Sequence, residues 1–132
     1  MEFKFAQTPI SESELAIVEA QWGARLPEKL RATILAHNGA AILSSSTSYT
    51  IDSLISFSPH DEINIYEVLS FLAQQRRENL LPFGLDLNGN LFCLENRPSI
   101  AEPGVVLFDD VTFEITRLND TFSDFWACFK ST

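Results

Sequence analysis

Histidine and cysteine, two residue types that ligate metals, occur only twice each in this chain of 132 residues, and the four residues are far apart. The two histidines, His37 and His60, lie in no C-x-x-C or H-x-x-H pattern, so the short ligand spacing of a metal site is missing. The two cysteines, Cys93 and Cys128, lie in apolar runs, where a free thiol behaves as a small hydrophobic group. We therefore expect no metal and no cofactor, and we interpret both thiols as unpaired core residues.

Hydroxyl and carboxylate groups give no pattern typical of an active site either. The run Ser44-Ser45-Ser46 lacks a G-x-S-x-G elbow, although a nucleophile and a base distant in sequence stay possible. The 5 glycines form neither of the spacings that cradle phosphate, G-x-x-x-x-G-K and G-x-G-x-x-G. Asp109 and Asp110 are adjacent at a predicted hairpin tip, where both are exposed to solvent, and turn formation accounts for them better than acid–base catalysis. The sequence thus favours a protein that does no chemistry, and an enzyme is the weakest alternative.

Acidic side chains are unevenly distributed along the chain. The net charge is −9, from 18 acidic and 9 basic residues; residues 1–60 carry −2 and residues 61–132 carry −7. Such a surface repels the phosphates of nucleic acids, so we expect no direct nucleic-acid binding. It attracts a basic protein and speeds the encounter. The alternative is that the acidity only keeps the chain soluble.

The length suits one domain, which we place at residues 1–132. The N-terminal residues lack the pattern of a signal peptide, and no segment has the roughly 20 apolar residues that span a bilayer. We therefore expect a cytoplasmic protein without a membrane segment. Its oligomeric state is open.

Four segments carry helix signals. The pair Ser11 and Glu14 forms a capping box, and Gly23 provides a C-terminal stop. A third helix begins after Asn64 and carries Arg76 and Arg77 in its last turn, where cations favour the helix dipole. The second helix follows Pro27, runs from Glu28 to about Ala36 and ends at Asn38-Gly39.

The last helix begins with a capping pair, Thr121 and Asp124. It carries an aromatic stripe that we interpret as the face covering a sheet: Phe122, Phe125, Trp126 and Phe129.

Hairpin signals lie between the last two helices. A two-residue turn at Asn88-Gly89 predicts that Leu87 pairs with Asn90, Leu85 with Phe92 and Phe83 with Leu94. A turn at Asp109-Asp110 predicts pairs Phe108 with Val111 and Val106 with Phe113. The stretch Ile42 to Phe57 is interpreted as one or two short strands, including Tyr49 and Ile51, with Ser44-Ser45-Ser46 as a turn or loop. Helices gathered around adjacent hairpins indicate an α+β fold with an antiparallel or a mixed sheet.

Three stretches in this order resemble the SUKH superfamily, the domain of fungal Smi/Knr cell-wall regulators and of many bacterial immunity proteins. The first is Glu19-x-x-Trp22-Gly23-x-x-Leu26-Pro27-x-x-Leu30 with the later Asn38-Gly39. The second runs from Leu80 to Leu94 and is similar to the central hairpin of the family, and the third is Thr121-Phe122-Ser123-Asp124-Phe125-Trp126. The chain departs from the family at Ala40, where a second glycine is frequent, and matches it loosely over residues 42–76.

The resemblance implies a non-catalytic α+β domain whose surface binds partner proteins. In bacteria the implied partner is a secreted toxin, frequently a nuclease, that the protein neutralises; the alternative is an intracellular regulator or scaffold of the Smi/Knr type. Since nucleases are basic where they hold phosphates, an acidic protein can cover that site. We therefore expect the acidic residues of the second half to carry the partner-binding surface: Asp86, Glu95, Glu102, Asp109, Asp110 and Glu114. The competing interpretation is a solvated acidic rim.

Overall fold

A computed structural model describes residues 2–44, 51–97 and 102–130. Within these ranges seven antiparallel strands form one sheet in sequential order, and four helices accompany it. An isolated parallel bridge joins Ser56 and Asn64. The α+β class predicted from the sequence is confirmed. The elements are β1 (Glu2–Lys4), α1 (Glu12–Trp22), α2 (Glu28–His37), β2 (Ala41–Ser44), β3 (Ile51–Leu54), α3 (Ile65–Gln74), β4 (Leu80–Asp86), β5 (Leu91–Glu95), β6 (Gly104–Phe108), β7 (Ile115–Asn119) and α4 (Phe122–Lys130).

The helix ends follow the capping residues of the sequence. The Ser11 side chain accepts from the Glu14 N–H at 3.2 Å, and the Glu14 carboxylate accepts from the Ser11 N–H at 2.9 Å, which confirms the capping box. Gly23 ends α1 with φ of 94°, a left-handed conformation that suits glycine. Asn64 caps α3 by accepting from two backbone N–H groups. Thr121 caps α4 through the Asp124 N–H.

The predicted end of α3 is wrong. The helix stops at Gln74, so Arg76 and Arg77 lie beyond its last turn. Arg76 has a φ of 58°, which turns the chain out of the helix. The Arg77 N–H then donates to the carbonyl of Leu72 at 2.9 Å, and this bond closes the helix end.

The hairpin between β4 and β5 has a different register from the predicted one. Leu85 pairs with Leu91, and a bulge lies between Pro82 and Gly84. The loop is longer because the Asp86 N–H donates to the Asn90 carbonyl, while Gly89 donates back to Asp86 and adopts a φ of 86°. A left-handed glycine after a type I turn is typical of a three-residue hairpin loop. The turn residues are therefore Leu87 to Gly89, and Leu87 is exposed.

The hairpin between β6 and β7 also turns later than predicted. Phe108 pairs with Ile115, not with Val111, and Val106 pairs with Arg117, not with Phe113. The Asp109 carboxylate accepts hydrogen bonds from the backbone N–H groups of Val111 and Thr112, and these bonds stabilise a longer loop. The loop therefore uses all residues from Asp109 to Glu114, which leaves Val111 exposed.

Helices cover both faces of the central strands. Four successive residues of β5, from Leu91 to Leu94, are buried, as expected for a strand that is covered on both sides. The Phe125 ring of α4 contacts Phe92, whereas the Phe71 ring of α3 contacts Phe108, the residue opposite Leu91. Because neighbouring residues of a strand point to opposite faces, α3 and α4 lie on opposite sides of the sheet.

The aromatic stripe of α4 packs as predicted at the positions that the structure describes. Phe122 and Phe125 are buried against Phe83, and Trp126 stacks on Phe122. Cys93 is a buried thiol, as predicted, but Cys128 is half-buried and is not a core residue. Ser44 was predicted in a turn or loop, but it ends β2 and pairs with Glu2. The predicted strand residue Tyr49 and the loop residues Ser45 and Ser46 lie outside the described residues.

Candidate protein-binding surface

Two loops lie side by side at one end of the sheet, and we name them together the acidic tips. They are the β4–β5 loop (residues 86–90) and the β6–β7 loop (residues 109–114). They are neighbours because β5 and β6 pair with Leu91 opposite Phe108. The Asp110 N–H donates a hydrogen bond of 2.9 Å to Oδ1 of Asn90, which ties one loop to the other.

Asp86 organises the first of these loops. One of its carboxylate oxygens accepts from the backbone N–H groups of Asn88 (2.8 Å) and Asn90 (2.9 Å). The other accepts from the side-chain amide of Asn90 at 3.0 Å. Asn90 therefore joins Asp86 to Asp110, and the carboxylate of Asp86 is turned toward its own loop.

Asp109 has the same role in the second loop. Its Oδ1 accepts from the N–H groups of Val111 (2.8 Å) and Thr112 (2.9 Å). The bonds from Thr112 and Val111 hold the pKa of Asp109 below its ordinary value, because they stabilise the ionised carboxylate. Asp109 is therefore a loop-forming residue that also keeps a negative charge at the tip.

The two other acidic residues of this loop have free carboxylates. Asp110 and Glu114 are exposed, and their carboxylates have no hydrogen-bond or ion-pair partner in the described ranges. Two aliphatic side chains stand beside them: Leu87 is 82% exposed and Val111 is 84% exposed. Because the predicted registers paired Leu87 and Val111 within the strands, neither residue was predicted at the candidate surface.

Glu95 does not belong to the acidic tips. It ends β5 at the opposite end of the sheet, and its side chain is only 16% exposed. Its carboxylate pairs with Arg97 at 2.9 Å and with Arg117 at 3.0 Å. Two cations therefore compensate the charge of Glu95.

Glu102 is also separate from the acidic tips. Its carboxylate accepts from the backbone N–H of Ser123 in the first turn of α4, next to the hydroxyl of Thr121 that caps the same turn. An anion at this position satisfies a free N–H and favours the helix dipole. The structure thus brings four of the six predicted residues to one end of the sheet, namely Asp86, Asp109, Asp110 and Glu114.

A buried ion pair explains the first sequence motif. Glu19 accepts from Nε and Nη2 of Arg31, both at 3.0 Å, and from the N–H of Leu26 at 2.7 Å. Burial raises the pKa of Glu19, but the hydrogen bonds from Arg31 and Leu26 and the charge of Arg31 lower it more, so the pKa lies below its ordinary value. The hydrogen bond to Glu19 correspondingly raises the pKa of Arg31.

A second buried network explains the Asn38-Gly39 motif. The Asn38 amide donates to the Thr8 carbonyl at 2.7 Å and to the Ser56 hydroxyl at 3.0 Å, and its oxygen accepts from the Phe57 N–H at 2.8 Å. Ser56 in turn donates to Asp61. Burial raises the pKa of Asp61, but hydrogen bonds from Ser56 and Thr8 lower it more, and the net shift is downward.

The side chains that could act as a nucleophile, a base or a metal ligand make contacts that stabilise the fold. The Ser56 hydroxyl is buried and accepts from Asn38 and Ser58 while it donates to Asp61. The ring of His37 stacks on Phe3 with the ring centres 4.6 Å apart, and burial raises the pKa of the Cys93 thiol. In the described part of the chain, no group of three or more His, Cys, Asp and Glu side chains is placed to hold a metal ion. No helix among the described residues is both long and apolar enough to cross a bilayer.

Comparison with known proteins agrees with the motifs. The model of the SMI1 / KNR4 family (SUKH-1) matches residues 9–127, which is most of the chain. A search of the curated proteins found no match. The family match includes Glu19, the Asn38-Gly39 turn and both acidic tips. The chain belongs to the SMI1 / KNR4 family (SUKH-1).

Proposed function

We propose that this protein is a non-catalytic immunity protein that binds and neutralises a basic, nuclease-type toxin. One observation carries the proposal: the acidic tips join free carboxylates and exposed aliphatic side chains at one end of the sheet. Asp110 and Glu114 present the charge, and Leu87 and Val111 present apolar surface beside it. Family membership supports a protein-binding role, because the family includes immunity proteins and regulators.

Charge and apolar contact have different tasks in this proposal. The net charge of −9 and the free carboxylates draw a basic partner toward the tips, and such steering raises association rates by about 10- to 1,000-fold at low salt. Leu87 and Val111 then fill apolar recesses of the partner and slow dissociation, since burial of exposed apolar surface stabilises a complex. The carboxylates take the place of the phosphates of the toxin's substrate, and the bound protein keeps that substrate out.

Affinity purification combined with a toxicity assay tests the proposal. The tagged protein is purified from its host at low salt, and each retained protein is then expressed alone and together with it. We expect one basic partner at a one-to-one ratio that stops growth when alone and is harmless beside the wild-type chain. Several substoichiometric partners without toxicity would contradict the proposal and would favour a regulatory scaffold.

A further inference from the structure

A groove of about 330 Å³ opens on the face of the sheet that α3 partly covers. Its floor is formed by Ala41, Ser53 and Leu85, which lie on one face because Ser53 is paired with both of the others across β2, β3 and β4. Two of these side chains are small, so the sheet is open here beside the first turn of α3. The volume is at the small end of ligand sites, which suits one large side chain more than a cofactor.

Exposed apolar side chains form the rim of this groove. Phe5 is 77% exposed and Ile63 is 57% exposed, and both line it. Phe5 has a φ of 59°, which is unusual for a bulky residue. Two residues further on, the Gln7 N–H donates a hydrogen bond of 2.7 Å to the Asn38 carbonyl, which fixes the backbone next to Phe5. Gly39 lies so close that an added Cβ would be 2.5 Å from Cγ of Gln7. A strained backbone thus keeps a phenyl ring in solvent at the edge of a groove.

A negative charge at the groove favours a basic occupant. Glu62 lines the groove, is exposed, and has a carboxylate without a hydrogen-bond or ion-pair partner in residues 2–44, 51–97 and 102–130. Leu85 of the groove floor directly precedes Asp86, so the groove lies along β4 near the acidic tips. We propose that the groove binds a segment of a partner protein that places a large apolar side chain between Phe5 and Ile63 and a neighbouring lysine or arginine on Glu62. The inference deepens the proposed function by adding a second contact with a basic partner.

Panning a phage-displayed library of random dodecapeptides against the wild-type protein tests the groove without any knowledge of the toxin. We expect enriched peptides to carry an aromatic or large aliphatic residue next to lysine or arginine. Synthetic copies should bind Phe5→Gly and Ile63→Ser at least tenfold more weakly. Phe5→Gly relieves the strained φ but gives the unfolded chain more conformational freedom, so urea unfolding of this variant accompanies the binding measurement. A tenfold loss of binding with unchanged stability supports the groove as the binding site. Glu62→Gln should weaken binding severalfold and reduce its salt dependence.

Two matched variants separate this inference from the proposed function. Ile17→Ser removes an exposed apolar side chain from α1, away from the groove, and should leave peptide binding unchanged. Asp110→Lys changes the acidic tips and should also leave it unchanged within about twofold. Three outcomes would contradict binding of a partner segment in the groove: no enrichment, enriched peptides without basic residues, or equal binding to Phe5→Gly and wild type. None of them would contradict the role proposed for the acidic tips. If the peptides bind Asp110→Lys more weakly but bind Phe5→Gly as tightly as wild type, the groove is not their binding site and the acidic tips are.

Discussion

The Glu19 carboxylate accepts two hydrogen bonds of 3.0 Å from the Arg31 guanidinium, and this buried pair joins α1 to α2. The same carboxylate holds the Leu26 N–H, which has no helical partner just before Pro27. Arg31 also reaches Glu12 at 3.2 Å near the start of α1. The family motif around Glu19 therefore stabilises the angle between two helices.

Replacement Glu19→Ala should destabilise the protein strongly. It leaves the Arg31 guanidinium buried with only an exposed partner, and breaking a buried pair in this way costs about 3–5 kcal/mol. Urea unfolding measures the loss. The control Glu12→Ala removes only the exposed partner and should cost about 1 kcal/mol or less. Equal losses in the two variants would show that Arg31 depends on both carboxylates alike.

Stability should fall on acidification because Glu19 and Asp61 both have lowered pKa values in the folded state. The unfolded chain then binds more protons than the folded one near pH 4, so the free energy of unfolding rises with pH. The contribution is fully present above the unfolded pKa values of about 4 and is lost as pH falls through the lower folded values. Unfolding at pH 7, 5, 4 and 3 should give a steeper decline for wild type than for Glu19→Gln or Asp61→Asn. Parallel curves would assign the acid sensitivity to other carboxyl groups.

Local signals predicted the helices well but failed at the loops between strands. A capping box or a left-handed glycine acts over three or four residues, so Ser11, Gly23 and Asn64 marked helix ends from sequence alone. The hairpin registers depended on side-chain hydrogen bonds that no pattern shows. Because Asp86 and Asp109 each bind N–H groups of their own loops, both loops are longer than the shortest turn that the sequence allows.

The candidate surface was predictable in charge but not in arrangement. Concentrated acidity in the second half singled out six residues, of which Glu95 and Glu102 have other contacts. Arg97 is two residues from Glu95, but Arg117 is 22 residues from Glu95 and the Ser123 N–H is 21 residues from Glu102, so these two contacts could be seen only in three dimensions. The apolar members, Leu87 and Val111, were hidden by the wrong registers.

Reversing a free charge at the tips should slow association with a basic partner. Asp110→Lys and Glu114→Lys should each lower the association rate about three- to tenfold at low salt and flatten its salt dependence. The matched control is Asp120→Lys, which makes the same change of charge at the other end of β7, about 20 Å from Glu114. Asp109 is unsuitable for this test because it also shapes its loop. Stopped-flow measurements that show equal slowing in all three variants would indicate a general charge effect.

Truncating the aliphatic side chains should instead speed dissociation. Leu87→Ser and Val111→Ser should each raise Kd about tenfold, mainly through the dissociation rate, because the complex loses buried apolar surface; a tenfold change corresponds to about 1.4 kcal/mol. Stability should change by less than about 0.5 kcal/mol because both side chains are exposed in the free protein. Surface plasmon resonance separates the two rates, with Ile17→Ser as the apolar control. Unchanged dissociation would restrict the contact to the charged residues.

Disconnecting the two loops should weaken partner binding without any change of charge. Asn90→Ala removes the acceptor of the Asp110 N–H and the donor to Asp86, so the two loops lose their shared orientation. We expect a loss of about 1 kcal/mol in the free energy of unfolding and a fall in affinity similar to that of Asp110→Lys. Asn88→Ala is the matched control, because the Asn88 side chain is exposed and makes no hydrogen bond with the described residues. If Asn90→Ala binds its partner as tightly as Asn88→Ala, the two loops act independently and their common geometry is not what the partner recognises.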